Sequence, residues 1–195
     1  MIRTLFIVIG LFFLSNIYCQ NNTLECNLEH LDSTKAIKVD KSDILCIAQT
    51  SEKKYTIIYT FAIWCSSCIK HLEYAIELEK AFNVQVYILL IDPEKSKPAY
   101  SAINFINKKY PDSKILILKD SVYGSQMRKK NKSFLTEITP PTFENTLDLS
   151  KYIVIDQSGS VLMITNYKDR DSLNGENRND DTGLINYKII PIIKR

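Results

Sequence analysis

Cys65 and Cys68, two residues apart in Trp64-Cys65-Ser66-Ser67-Cys68, have the clearest chemistry in this chain. They follow a β-rich apolar run beginning at Tyr55 and precede a helical pattern, so the sequence reads as a buried strand delivering a dithiol to a helix start. There the unsatisfied N–H groups and the helix dipole stabilise the thiolate of the first sulfur, and the second, one turn inside, can close a small ring with it. The implied chemistry is thiol–disulfide exchange. Cys65 attacks as the nucleophile and Cys68 resolves the mixed disulfide; run backwards, the pair oxidises a substrate. The spacing also serves structural disulfides and metal sites. A c-type haem attachment is excluded, because Ile69 and not histidine follows Cys68.

The flanking patterns supply the elements that would hold this pair. Ile69, Leu72, Ala75, Ile76 and Phe82 recur at helical spacing, with Lys70, Glu73, Glu77 and Lys80 opposite, which predicts a surface helix packed on a sheet. Residues 84–91 are a nearly unbroken apolar run, the mark of a central parallel strand, and end at Asp92-Pro93. Ser96 and Pro98 open a helix with Ala99, Tyr100, Ile103 and Ile106 inside, and Pro111 closes it. Residues 114–118 read as a third strand. Ser121 is predicted to cap a short helix to about Lys130, followed by an irregular segment anchored by Phe134, Leu135 and Ile138. Residues 151–156 and 161–165 flank Gln157-Ser158-Gly159-Ser160, which has hairpin turn chemistry. Residues 167–183 read as a polar loop without the ligand spacing of a calcium site, and 184–193 as a final helix bent or ended by Pro191. This alternation gives an α/β fold: a central mixed sheet, mostly parallel, flanked by helices.

With 195 residues, 45% of them hydrophobic, the chain has room for one domain with a real core and a leader. The formal charge of +3 comes with no basic cluster dense enough to suggest nucleic acid or a lipid surface, so neither partner is indicated. Residues 1–19, with Arg3 ahead of an apolar run from Leu5 to Leu14, read as a secretory signal peptide; a lipoprotein anchor at Cys19 or an uncleaved membrane tether is the alternative. Residues 20–50 form a short extension in which 36–39 alternate like an edge strand and Ser42-Asp43 would cap a helix through Ile47. In an exported chain Cys26 and Cys46 can form a structural disulfide contributing about 3 kcal/mol in the chain-entropy model. Cys19 keeps the pairing open.

Taken with its strand and amphipathic helix, Trp64-Cys65-Ser66-Ser67-Cys68 resembles the thioredoxin superfamily. More narrowly it resembles the exported TlpA-like thiol–disulfide oxidoreductases, whose Trp-Cys-x-x-Cys motif precedes a basic and an acidic residue. The resemblance implies a thioredoxin-like domain over residues 51–195 with a helix–strand insertion, a periplasmic location, protein thiol or disulfide substrates and a redox partner. No cofactor and no metal is implied. Trp64 would lie over the dithiol, with Ser66 and Ser67 shaping the ring between the sulfurs. Ser67 stands where the family commonly has proline, which should alter the redox poise. His71 stands where it has a carboxylate; one turn beyond Cys68 on the same helix face, it could take the proton of that thiol or, when charged, favour its thiolate. A partly exposed surface histidine is the plainer reading. Glu73 replaces a proline that kinks this helix. Counting back from the Gly159 turn, the family's cis-proline position falls on Ser150, with Pro140-Pro141 in the preceding loop, so a trans serine would form the ledge beside the dithiol. Two rival functions are a thioredoxin-like binding module with a structural Cys65–Cys68 bridge, and a metal carrier using Cys65, Cys68 and His71.

Overall fold

The computed structural model describes residues 26–174, 177 and 179–195. The expected leader over residues 1–19 and Cys19 lie outside them. Seven strands form one mixed sheet: β1 (Glu29–His30), β2 (Ile37–Val39), β3 (Tyr55–Phe61), β4 (Val84–Leu90), β5 (Lys114–Leu118), β6 (Tyr152–Asp156) and β7 (Val161–Ile164), in the order β1-β2-β5-β4-β3-β6-β7. Strands β2, β5, β4 and β3 run parallel, while β1, β6 and β7 pair antiparallel with their neighbours.

Strand β3 lies between β4 and β6 and is buried along its whole length. Its alternating side chains therefore feed two cores. Ile57, Tyr59 and Phe61 face α2 (Ser66–Ala81) and α3 (Lys97–Lys109) through Leu72, Ala75, Ile103 and Ile106. Ile58 and Ala62 face α1 (Lys41–Gln49) and α5 (Met127–Ile138) through Ile44, Ile47, Phe134 and Leu135. Helix α2 keeps Lys70, Glu73, Glu77 and Lys80 in solvent, as its amphipathic pattern requires.

Several local expectations are corrected. The edge strand is β1, because β2 is paired on both sides and carries the extension into the sheet beside β5. Helix α1 is capped two residues earlier than expected. Asp40 accepts from the Asp43 amide and Asp43 from the Asp40 amide, a reciprocal capping box. The helix expected from Ser121 is only α4 (Asp120–Tyr123), stopped at Gly124 with φ +77°. The segment expected to be irregular belongs instead to α5. Its buried residues Lys130, Asn131, Phe134, Leu135 and Ile138 fall on one helical stripe, hidden in the sequence by the lysines around them.

The polar stretch after β7 is also not all loop. Asn166 accepts from the Asp169 amide while Asp169 accepts from the Asn166 amide, and this box starts α6 (Tyr167–Asn174). The last helical segment comprises α7 (Thr182–Leu184), a π turn (Ile185–Ile189) and α8 (Ile190–Ile193). In regular α-geometry the Pro191 ring would meet the carbonyl of Tyr187, and the wider turn just before it accommodates the ring. Cys26 and Cys46 are bridged, tying the start of the described chain to α1.

Candidate active site

Cys65 and Cys68 are joined in a disulfide, with Cα atoms 5.2 Å apart. Cys65 is the N-cap of α2, and its sulfur accepts from the Cys68 amide at 3.2 Å. It is half-buried, whereas Cys68 is fully enclosed one turn inside the helix. The sulfur of the outer cysteine thus meets both solvent and the N–H groups of the first turn, which is where a thiolate is stabilised. Ser66 and Ser67 are exposed on that turn, and the Ser67 hydroxyl lies 3.3 Å from the Cys65 sulfur.

His71 is not at the surface. It is fully buried, with Nδ1 directed to the Ser150 hydroxyl at 3.0 Å and 3.6 Å from the carboxylate of Asp181. The reading of a partly exposed histidine is therefore corrected, because Ser150 and Asp181 close against this face of α2. Ser150, just before β6, has φ +63° in the left-handed region, and no described peptide bond is cis. Its amide donates to Thr60 at the end of β3, and its carbonyl accepts from Arg170 on α6 at 2.9 Å. Those two bonds, with that of Lys151 to the Thr60 hydroxyl, hold the unusual conformation.

Hydroxyl, imidazole and guanidinium then form one buried chain. The Tyr59 hydroxyl, on β3, donates to the carbonyl of Cys68 at 3.0 Å and lies 2.8 Å from Ser150 Oγ. Since a tyrosine has one hydrogen to give, the arrangement that satisfies every member has Ser150 donating to Tyr59 and accepting from His71 Nδ1–H and Arg170. Arg170 is held by Asp181 through Nε at 2.5 Å, and Tyr152 donates to the same carboxylate. Burial opposes the charge of Arg170, but its bonds to Asp181 outweigh this and its pKa is raised. Burial drives the phenols of Tyr59 and Tyr152 far above their ordinary range, so both remain donors.

On the other side of the dithiol, Trp64 is half exposed, and its indole N–H donates to Asp92 at 2.9 Å. Asp92 follows β4 and is buried, with one carboxylate oxygen that has no hydrogen-bond partner among the described residues; burial raises its pKa, against the pull of Trp64 and Lys130. Lys130 of α5, fully buried, donates to the Asp92 carbonyl at 3.0 Å and to the Asp120 carboxylate at 2.6 Å.

Of the residues singled out in sequence, Trp64, Cys65, Ser66, Ser67 and Cys68 share the β3–α2 junction, and Ser150 and His71 meet beneath it. Cys26 and Cys46 stand apart in their own bridge. Tyr59, Asp92, Lys130, Arg170 and Asp181 were missed. Asp92 carried a signal, being a carboxylate that ends the apolar strand next to the dithiol strand; Arg170 and Asp181 carried none beyond the Asn166 capping box. Among the described residues no group of three or more His, Cys, Asp or Glu side chains is placed to hold a metal ion, and the imidazole of His71 bonds Ser150.

No family model and no curated protein matches the chain. Among solved structures it is similar to a thioredoxin-like protein in the oxidised form, at 14% identity and TM-score 0.42 over 65% of this chain and 72% of that one. It is also similar to the thioredoxin domain of a thiol–disulfide oxidoreductase from Bacteroides vulgatus, at 15% identity and TM-score 0.38 over 59% and 71%. The fold is thioredoxin-like on its own topology: a β3–α2–β4 unit and a β6–β7–helix unit share one sheet, with the dithiol at the end of the buried interior strand β3.

Proposed function

We propose that this chain is an exported thiol–disulfide oxidoreductase of the TlpA-like kind, acting on protein substrates through Cys65 and Cys68. The observation that carries the reading is the asymmetry of the pair: a half-exposed sulfur at the N-cap of α2 and a fully buried one a turn inside. In the reducing direction the Cys65 thiolate attacks a substrate disulfide, forming the mixed disulfide and releasing one substrate thiolate, which takes a proton. The Cys68 thiolate then attacks the Cys65 sulfur, closing the Cys65–Cys68 bond and releasing the second substrate thiol. Two electrons pass to the substrate, and a dithiol redox partner restores the reduced pair. Reversal of both steps oxidises a client.

The leader-like residues 1–19 and the second disulfide between Cys26 and Cys46 support a periplasmic location, soluble or tethered at the N-terminus. The test is reduction of insulin by the mature protein with a dithiol reductant. Cys65→Ser should abolish turnover, and Cys68→Ser should accumulate mixed disulfides with client proteins. Wild-type turnover no faster than that of Cys65→Ser would sink the reading.

A further inference from the structure

The dithiol end of the sheet carries a surface that the exchange chemistry does not require. Trp64 follows β3, Val122 follows β5, Leu147 precedes β6 and Tyr167 follows β7; by the strand directions all four lie at the end of the sheet where Cys65 sits. Among the described residues they are four of the five large apolar side chains with the greatest exposure, 48% to 52% each. Most of this apolar exposure is thus at the end of the sheet that carries the reactive sulfur.

The flank of this surface beyond Trp64 is basic. Lys95 and Lys97 follow β4, and Arg128, Lys129 and Lys132 project from α5; all five are exposed, and none makes an ion pair among the described residues. The acids nearby are already engaged. Asp92 holds Trp64, Asp120 holds Lys130, and Glu94 accepts from the Asp120 amide. Fold stability does not account for Arg128 and Lys129. They occupy the first turn of a 12-residue helix with no side-chain cap, the end where the dipole disfavours cations. The start of α5 is nonetheless fixed at the dithiol end of the sheet, because buried Lys130 of that turn donates to the carbonyl of Asp92, the residue that holds Trp64.

Resting on the exchange function above, we propose that this flank selects the substrate: it docks a polypeptide whose reacting cysteine is followed or preceded by an apolar side chain and a cluster of acidic residues. The apolar side chain would pack against Trp64 and Val122, and the acids would meet Arg128, Lys129 and Lys132. Unpaired cations beside an apolar patch are complementary to such a segment and repel a basic one.

The experiment uses two fluorescent peptides, each with one internal disulfide and one leucine, differing only in acidic or basic flanks. Binding is read by anisotropy on Cys65→Ser protein, and turnover on wild type, with hydroxyethyl disulfide as a neutral small substrate. The acidic peptide should bind about tenfold more tightly at low salt. That preference should shrink toward 1 M salt and disappear in Arg128→Glu/Lys129→Glu, which should turn over hydroxyethyl disulfide as wild type does. Equal binding of the two peptides, or a preference that survives in the double variant, would overturn the proposal. So would charge-dependent adsorption to phosphatidylserine vesicles without peptide preference, which would make the flank a lipid contact. Loss of all turnover with the binding preference intact would count against the exchange function and leave the docking surface standing.

Discussion

The imidazole Nδ1 of His71 lies 3.0 Å from the hydroxyl of Ser150, and through Ser150 and Tyr59 it is linked to the carbonyl of Cys68. Helix α2 and the start of β6 are thereby joined beneath the dithiol. This junction is enclosed, so its members cannot be changed without leaving buried polar partners behind.

For His71, enclosure makes replacement costly. His71→Ala should lose about 3 kcal/mol in chemical denaturation, from the cavity and the orphaned Ser150 and Asp181 contacts. His71→Glu should fall further below His71→Gln as pH rises, because the introduced carboxyl must ionise beside Asp181 in a buried site. Stabilities of Glu and Gln variants that stay parallel from pH 5 to 8 would show that the site admits water.

Ser150 should not tolerate the proline that its place in the fold suggests. Its φ of +63° is closed to proline, and its amide donates to Thr60. Ser150→Pro should cost about 3 kcal/mol or more, whereas Ser150→Gly should cost less, because relief of the left-handed strain offsets the lost hydroxyl. Thermal unfolding of the oxidised proteins orders the three, and a proline variant as stable as the glycine variant would contradict this account.

Trp64 is the only tryptophan, so selectively excited tryptophan emission comes from the residue that bonds Asp92. Burial raises the pKa of Asp92 from its ordinary value, against the hydrogen bond from Trp64 and the charge of Lys130. The stability gained from its neutral form is therefore present in acid and lost as pH rises through that raised value. Emission from Trp64 should titrate with Asp92, at a pH above that of an ordinary aspartate, and Asp92→Asn should remove this step. Asp92→Asn should also gain melting temperature relative to wild type between pH 4 and 7; a constant difference would mean that Asp92 ionises as in water.

Asp40 behaves in the opposite sense. Burial would raise its pKa, but bonds from Ser42, Lys119 and the Asp43 amide outweigh this and lower it to about 2. Its contribution is present above the unfolded value and lost as pH falls toward about 2. Asp40→Ala should cost about 1–2 kcal/mol at pH 7 through the lost α1 cap. The difference from wild type should close on acidification, measured by urea titration at pH 7 and 2.5.

The dithiol, its place between a buried strand and an amphipathic helix, and the alternation of strands and helices are legible in residue order alone. Those follow from short-range rules of side-chain period and helix-end chemistry. Helix α5 escaped because Lys130 and Asn131 are polar members of its buried stripe, and their burial is licensed only by Asp92, Asp120 and Leu147 elsewhere in the chain. The same limit hid the ground beneath the dithiol. Arg170 and Asp181 follow His71 by about a hundred residues and share its surroundings through Ser150 only because β6 lies beside β3. The run Arg128-Lys129-Lys130-Asn131-Lys132 is plain in the sequence, but that Lys130 turns inward and that Lys95 and Lys97 emerge at the same end of the sheet follows from the parallel pairing of β4 and β5 and from packing. Strand order and packing decide which distant residues share an environment, and burial then fixes which of them must bond, carry charge or stay neutral.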